Sequence, residues 1–517
     1  MTSRQGSTQT GPRLARHPWI ALVTAALVTL AACGTTVSQA GRRNIESLGE
    51  GLGSGPSSVA GPSVRPDTTA AVSAGSAGAS APGQPGSSGA STAGPAGPGG
   101  GTAGLPATIA PTAGQAPDVP IKLGFLNTQT SNAAGLGAST GSTISPELII
   151  KALVDAYNAH GGIDGHQIDP VIVETDTGAA DWNTVYAAAC DTFTEDNHVA
   201  AVLGYSFDYV DSFEACLSQA GVPHLDDGYN VGDVRTFEQY PMLFSLANPS
   251  WDRNYLTLLE GGVATGQLTR SDKIGALISA CPYDQESWHN AALPYIKQAG
   301  LDLVDTETYG CASGASDDGT LVAQVESSVL KLHAAGVTKV IGEGPPVIFM
   351  AITAQSQGWQ PSYYVTSWTG GEALVTSGLM PTAQEVNVHG FGWLPSVDVA
   401  ATDQPAPDAA AQRCLSMLKS EGLVPVQFND YFYSYTTCDA LFLYQAALQA
   451  TGGLTQPALV TRAIEGIGTA YQSPVTLGGQ TSFGASKHDG PINYRPWDWA
   501  THCSCFTYDR TTQSMPA

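Results

Sequence analysis

The sequence predicts an α/β fold of two similar lobes, each a parallel β-sheet covered by helices, joined at a hinge. Three observations carry this. Strand-like and helix-like segments alternate over residues 119–395, which gives parallel sheets with helices on both faces. The alternation runs once as far as "NPSWDRN" and then restarts. About 400 residues follow an N-terminal low-complexity region, enough for two lobes with their own cores.

The N-terminal residues read as a targeting segment. Arg4, Arg13 and Arg16 flank the start of "WIALVTAALVTL", an apolar run of roughly twelve residues and short for a membrane span. It ends in "LAAC", Leu30 to Cys33, which resembles the lipobox of bacterial lipoproteins. Residues 1–32 are therefore expected to be a lipoprotein signal peptide, and Cys33 the lipidated first residue of the mature protein. Two or more acyl chains anchor stably where one does not. The expected location is the extracytoplasmic face of the cell membrane, held by lipid. Residues 33–118 are mostly Gly, Ser, Ala, Pro and Thr, the composition of a disordered tether. A flexible chain of that length reaches roughly 50 Å on average.

In the first lobe, "IKLGFLN" reads as a strand leading into a Gly-rich loop. Ser145 then caps a helix, Pro146 suits its first position and Glu147 its positive end. Leu148, Ile149, Leu153, Ala156 and Tyr157 recur at helical spacing. Gly161 supplies the left-handed residue that closes the helix. "IDGHQI" turns around Gly165, and "PVIVE" is β-branched and continuous, like a strand buried on both faces. Helix "DWNTVYAAACDTFTED", strand "VAAVLGY", helix "DYVDSFEACLSQAG" and strand "VPHLDD" follow.

The second run begins with helix "NYLTLLEGGVATGQ" and strand "KIGALIS". Helices "ESWHNAALPYIKQAG", "GTLVAQVESSVLKLHAAG" and "VIFMAITAQSQGW" alternate with strands "LDLVDTETY", "TKVIGEG" and "SYYVTS". Beyond the short extended stretch "VNVHGFGWLP", two helices are expected around "APDAAAQRCLSMLKSEG" and "NDYFYSYTTCDALFLYQAALQATGG", and then turns and strands. These pieces complete both lobes by crossing between them. Lobe one is expected over 119–248 plus about 396–480, and lobe two over 249–395 plus about 481–517.

Acidic residues outnumber basic ones 45 to 21, for a net charge of -24. That argues against nucleic acid and against anionic membrane surface as partners. Of nine cysteines, setting Cys33 aside leaves an even number in an oxidising compartment, so disulfides are expected. Cys190 and Cys216 lie on consecutive helices, as do Cys414 and Cys438, and both pairs fall within lobe one. Cys281 and Cys311 follow neighbouring strands of lobe two, and Cys503 and Cys505 stand in "THCSCF". The last four are expected to pair within lobe two, although an i, i+2 bridge is strained. Bridges between lobes would oppose hinge motion. "HCSC" lacks the spacing of zinc motifs, so no metal is expected.

Taken in order, these segments resemble the type I periplasmic binding proteins, in the branched-chain amino acid (Leu/Ile/Val) group of ABC-transporter solute-binding lipoproteins. "IKLGFLNTQTSNAAGLGAST" stands where that family has its first strand and a "TGP…G" loop. "IIKALVDAYNAHGGIDGHQIDPVIVETD" matches its first helix, the "N-x-x-GG-I-x-G" turn and the second strand. "VAAVLGYSFDYVDSFEACLSQAGVPHLD" matches the third strand, helix and fourth strand, and "SACPYDQESWHNAALPYIKQAGLDLVDTETY" the "DYG"-type loop and its surroundings. The likeness spans roughly Val119 to Asp509. It implies two Rossmann-like lobes joined by a multi-crossing hinge, closing like a clamshell on a small organic solute. It further implies delivery to an ABC-transporter permease, with no cofactor and no catalysis.

Ligands of such sheets bind at the carboxyl ends of the strands. The candidates in lobe one are Asn132 and Gly137 in "TQTSNAAGLG", Tyr205 and Ser206 in "GYSFD", and Gly228 and Asn230 in "DDGYN". In lobe two they are Tyr283 in "CPYDQ", Glu343 in "GEGPP" and Trp368 in "SWTGG". The resemblance implies that Ser206 meets a solute carboxylate, that Gly228 and Asn230 meet an ammonium, and that Tyr283 is the tyrosine of the "DYG" loop. The chain departs from the family at Trp368, where the ammonium-pairing acid belongs, and it lacks the tyrosine near "GEGPP". Glu343 can replace the acid from a neighbouring strand. Trp368, Tyr205, Phe207 and Tyr229 suggest an aromatic-lined cleft, suited to an apolar or ring-bearing solute.

Two other readings stand beside this one. "VLGYSFD" places Gly204-x-Ser206 between strand and helix, as in a nucleophile elbow, with His488 and His502 downstream to complete a triad. Asp208 stands where that motif has its last glycine. The same clamshell also serves as a solute-sensing receptor not coupled to transport.

Overall fold

A computed structural model of the chain describes residues 119–129, 142–206, 209–228, 232–509 and 511–517. The expected signal peptide, tether and Cys33 lie outside the described residues, as do Asn132, Gly137, Asn230, Phe207 and Tyr229.

Lobe one is built on five parallel strands in the order β2-β1-β3-β4-β5. They are β1 (Ile121–Gln129), β2 (Ile168–Asp176), β3 (Val202–Tyr205), β4 (His224–Asp226) and β5 (Leu243–Ser245). Between them lie α1 (Pro146–Ala159), α2 (Trp182–Asp191), α3 (Asp211–Ala220) and α4 (Val234–Gln239). The first helix forms as its sequence dictates. Ser145 Oγ accepts from the Leu148 amide, and Ile149, Leu153, Ala156 and Tyr157 are buried. Gly161 and Gly162 both have positive φ, and a Cβ on Gly162 would lie 1.9 Å from the His166 carbonyl oxygen. Only glycine fits that turn.

The reading of "PVIVE" as a strand buried on both faces is corrected. β2 is the edge strand of its sheet, and residues 170–173 are half-buried. Pro170 suits that edge, because it has no amide to give a further neighbour.

Lobe two repeats the topology. β6 (Lys273–Ser279), β7 (Asp302–Tyr309), β8 (Lys339–Gly342), β9 (Ser362–Thr366) and β10 (Val388–Gly392) are parallel, in the order β7-β6-β8-β9-β10. Antiparallel β11 (Asn493–Ala500) and β12 (Cys505–Tyr508) extend that sheet past β10. Helices α5 (Trp251–Ala264), α6 (Pro282–Ser287), α7 (Leu293–Ala299), α8 (Asp318–Ala334) and α9 (Pro346–Ser356) belong to this half.

The chain then returns to lobe one as α10 (Ala409–Ser420), α11 (Phe428–Thr451) and α12 (Pro457–Ile467). α10 and α11 pack on α1, and α11 also covers β3 and β4. Asp430 in the first turn of α11 accepts from the Thr143 and Ile144 amides, which fastens it to the start of α1. Sequence reasoning passed over α12 and β5. β5 has three residues, too few to show an alternation.

The chain crosses between lobes three times: after β5, after β10, and near residue 490, where residues 488–490 run beside β5 before β11 begins. Trp393 Nε1 donates to Asn248 Oδ1 at 3.2 Å and ties the first two crossings together. Asp489 at the third accepts from the Ser250 amide and from Arg253 Nη1, each at 2.7 Å.

The disulfides are Cys190–Cys216, Cys281–Cys311, Cys414–Cys438 and Cys503–Cys505. Each lies within one lobe, and the last closes the turn between β11 and β12. Among the described residues no helix is long and apolar enough to cross a membrane, and no cluster of His, Cys, Asp and Glu could hold a metal ion.

Candidate functional site

The strand order switches between β1 and β3 in lobe one and between β6 and β8 in lobe two. Open α/β sheets bind ligands at the carboxyl ends of strands beside such a switch. The loops after β3 and β6 meet where the lobes face each other, through Tyr209 and Tyr283.

In lobe one, Ser206 follows β3 and is fully buried. Its hydroxyl donates to Asp226 Oδ1 at 2.6 Å, and its amide reaches the same oxygen at 3.2 Å. The Gly228 amide joins them at 3.3 Å, while the Gly228 carbonyl accepts from Asn248 Nδ2 at 2.6 Å. A Cβ on Gly228 would stand 1.9 Å from the Ser206 carbonyl oxygen. Asp226 thus clamps the ends of β3 and β4 together. Burial pushes its carboxyl up to about 7, against the lowering pull of His224 and Ser206. The hydroxyl hydrogen and the carbonyl that the resemblance directs at a solute are both engaged inside lobe one. Tyr205 closes β3.

In lobe two, Glu343 follows β8 and is buried. Its Oε2 accepts from Thr369 Oγ1 at 2.8 Å and the Thr366 amide at 3.2 Å, and its Oε1 from Asn254 Nδ2 at 3.4 Å. Burial raises it to about 7, offset in part by these donors. Asp284, also raised by burial, accepts from Tyr255 Oη at 2.5 Å and the Ser279 amide at 2.7 Å. Both oxygens of Glu343 are engaged within lobe two.

The aromatic groups of lobe two cluster, and one of lobe one joins them. Trp251, the first residue of α5, lies 5.0 Å from Trp368, 6.0 Å from Tyr283 and 5.6 Å from Tyr255, ring centre to ring centre. Tyr209 of lobe one meets Tyr283 of lobe two edge-on at 5.3 Å. Trp251 is buried, and its indole N–H has no hydrogen-bond partner among the described residues. Tyr283 and Trp368 are half-buried. Of these, the sequence had singled out Tyr283 and Trp368 as candidates and passed over Trp251 and Tyr209. The signal for Trp251 was its place in "NPSWDRN", where the pattern restarts.

The nucleophile-elbow reading needs a histidine on Ser206, whose hydroxyl is spent on Asp226. His488 instead stacks on Phe244 at 4.3 Å, with Nδ1 3.0 Å from the Leu243 carbonyl oxygen. His502 is exposed in the turn after β11.

The periplasmic binding protein family model matches residues 120–496. No curated protein sequence matches closely enough to count as a relative. Several solved structures share the fold. A branched-chain amino acid ABC transporter protein from Thermus thermophilus, with bound valine, is 14% identical; the match covers 76% of this chain and 97% of that one, with a TM-score of 0.55. A solute-binding protein of an ABC transporter from Rhodopseudomonas palustris HaA2, in complex with p-hydroxybenzoic acid, is 14% identical over 77% and 98%, with a TM-score of 0.55. A possible leucine/isoleucine/valine-binding protein from Rhodopirellula baltica SH 1 is 16% identical over 78% and 98%, with a TM-score of 0.52. With two parallel sheets of one topology, a three-crossing hinge and a family match over most of the chain, the protein belongs to the periplasmic binding protein family, in its type I fold.

Proposed function

We propose that this is a lipid-anchored, extracytoplasmic solute-binding protein of an ABC importer, and not an enzyme. It captures one small ring-bearing or apolar organic solute between its lobes and delivers it to a permease. The observation that carries this is the aromatic cluster of Trp251, Trp368, Tyr283 and Tyr209, which spans both lobes at the strand ends. Aromatic walls suit a flat or apolar ligand, and the Trp251 N–H, without a partner among the described residues, offers a donor to its polar end. Closure follows from differential contact. A solute that touches both lobes when they are closed, and mainly one when they are open, shifts the population to the closed form.

Native mass spectrometry of the purified full-length protein tests this, by identifying the co-purified solute and any acyl chains on Cys33. Trp251→Ala and Tyr283→Ala are each expected to weaken binding of that solute roughly ten- to hundredfold. A protein that carries no solute, and binds none from a panel of aromatic acids and amino acids, would refute the reading. An unmodified Cys33 would remove the anchor.

A further inference from the structure

The lobes also meet where their edge strands end. β2 and β7 are the outer strands of the two sheets. The loop after β7 lies against the loop after β2. The Trp182 amide donates to the Ser313 carbonyl and the Ala315 amide to the Ala179 carbonyl, each at 2.8 Å. Ser316 Oγ donates to the Ala180 carbonyl at 2.8 Å. Ala312 packs against the lobe-one core that contains Leu126, Trp182 and Tyr186.

The lobe-two loop is held by its own lobe. Asp317 accepts from the Ser313 amide at 2.8 Å and the Ser313 hydroxyl at 2.9 Å. Cys311 is bonded to Cys281, the residue that opens α6 just before Tyr283. Gly314 shows what the loop is shaped for. A Cβ there would lie 2.1 Å from the Ala180 oxygen, 2.5 Å from its carbonyl carbon and 2.8 Å from the Asp181 nitrogen. The backbone of Gly314 is extended, with φ 168, so its own conformation would accept alanine. The other lobe is what demands glycine.

The hinge lies on the opposite side. The chain leaves lobe one from β5, at the other edge of that sheet, and residues 488–490 run beside it. A contact at β2 and β7 therefore has the longest lever arm about the hinge. We infer that residues 312–316 form a latch, a set of positioning residues that fixes the balance between open and closed lobes. The inference rests on the proposed solute capture, because a solute's apparent affinity scales with the closed population. The Cys281–Cys311 bridge makes the latch and the Tyr283 loop one body, so contact with solute and engagement of the latch are coupled.

The test uses the full-length protein without solute. Spin labels on unnatural residues replacing the exposed Leu148 and Leu330 report the separation of the lobes. Hydrogen exchange at the Trp182 and Ala315 amides reports the latch itself. Gly314→Ala is expected to shift the label distances outward and to speed exchange at both amides roughly ten- to hundredfold. Ser316→Ala, which removes one hydrogen bond, should give the same change at a smaller size. Gly319→Ala, where a Cβ meets nothing within 4 Å, should leave both readings at wild type. Wild-type amides that exchange as freely as an open loop, or a Gly314→Ala protein with unchanged distances and exchange, would overturn the latch. Failure of the solute-binding reading shows separately, as absence of bound solute.

Discussion

Asp489 at the hinge and Glu343 at the cleft are both hidden from water, 3% and 6% exposed, yet their chemistry is opposite. Burial alone would raise both. At the hinge the Arg253 and Lys487 cations overcome it and hold Asp489 well below the carboxylate range. At the cleft, Glu343 meets hydroxyl and amide donors without a cation, and it stays up at about 7. Asp398, beside the second crossing, behaves like Glu343. It accepts from Tyr508 Oη at 2.5 Å and Ser367 Oγ at 2.9 Å, and burial brings it to about 7. The difference teaches what a buried acid contributes. A paired charge fastens segments distant in sequence; a neutral acid donates as well as accepts, and its contribution changes with pH.

The comparison can be broken most strongly at the hinge. Arg253→Met leaves Asp489 buried without its nearest cation, and is expected to cost about 3–5 kcal/mol. Thermal unfolding measures it, and adding Asp489→Leu should recover part of the loss. A single substitution that unfolds like wild type would mean that the pair does not hold the hinge.

The next effect is pH dependence, and its sign differs between the two kinds of acid. Asp489 is depressed, so its stabilisation is present above the unfolded carboxylate value of about 4 and lost as pH falls through its lower folded value. Glu343, Asp226 and Asp398 are raised, so theirs is present below about 4 and lost as pH rises through about 7. The melting temperature should therefore peak near pH 5 and fall toward pH 8. Glu343→Gln should flatten that fall and stabilise by about 1–3 kcal/mol at pH 8, with little change at pH 5. An unaltered slope would show that Glu343 does not titrate in this window.

The smallest effect sharpens the rule with a third kind of partner. Burial would raise Asp430, but the Gln427 amide, the Thr143 hydroxyl and amide, and the Ile144 amide bring it down to about 2. Asp430→Asn should cost about 1 kcal/mol, read as a lower melting temperature at neutral pH that converges with wild type below pH 3.

Much of the fold was legible because helices and strands of ordinary length carry their period in the sequence. α1 could be read from Ser145 and Pro146 at its start to the glycines at its end. β5 and α4 are too short for a period to show. The edge position of β2 was hidden, because "PVIVE" has the composition of a central strand and only its neighbours decide its burial. In the site, position along the strands was legible and bonding was not. Ser206 and Glu343 stand at strand ends, as the alternation required. That Asp226 takes the Ser206 hydroxyl depends on the register between β3 and β4. Trp251 escaped because a crossing has no periodicity to mark it.

The return of the chain to lobe one has a consequence for synthesis. α11, at residues 428–451, covers strands that end at residues 205 and 226. Lobe one cannot seal that face of its sheet until most of the chain has been made, whereas the parallel strands of lobe two are contiguous. In the interval Leu203 of β3 and Leu225 of β4 lack the helix that packs on their strands in the finished core. Contacts this distant in sequence make folding slow and leave intermediates prone to aggregate. Lobe one, first off the ribosome, thus keeps an open sheet face until α11 arrives, and that face is where premature association would begin.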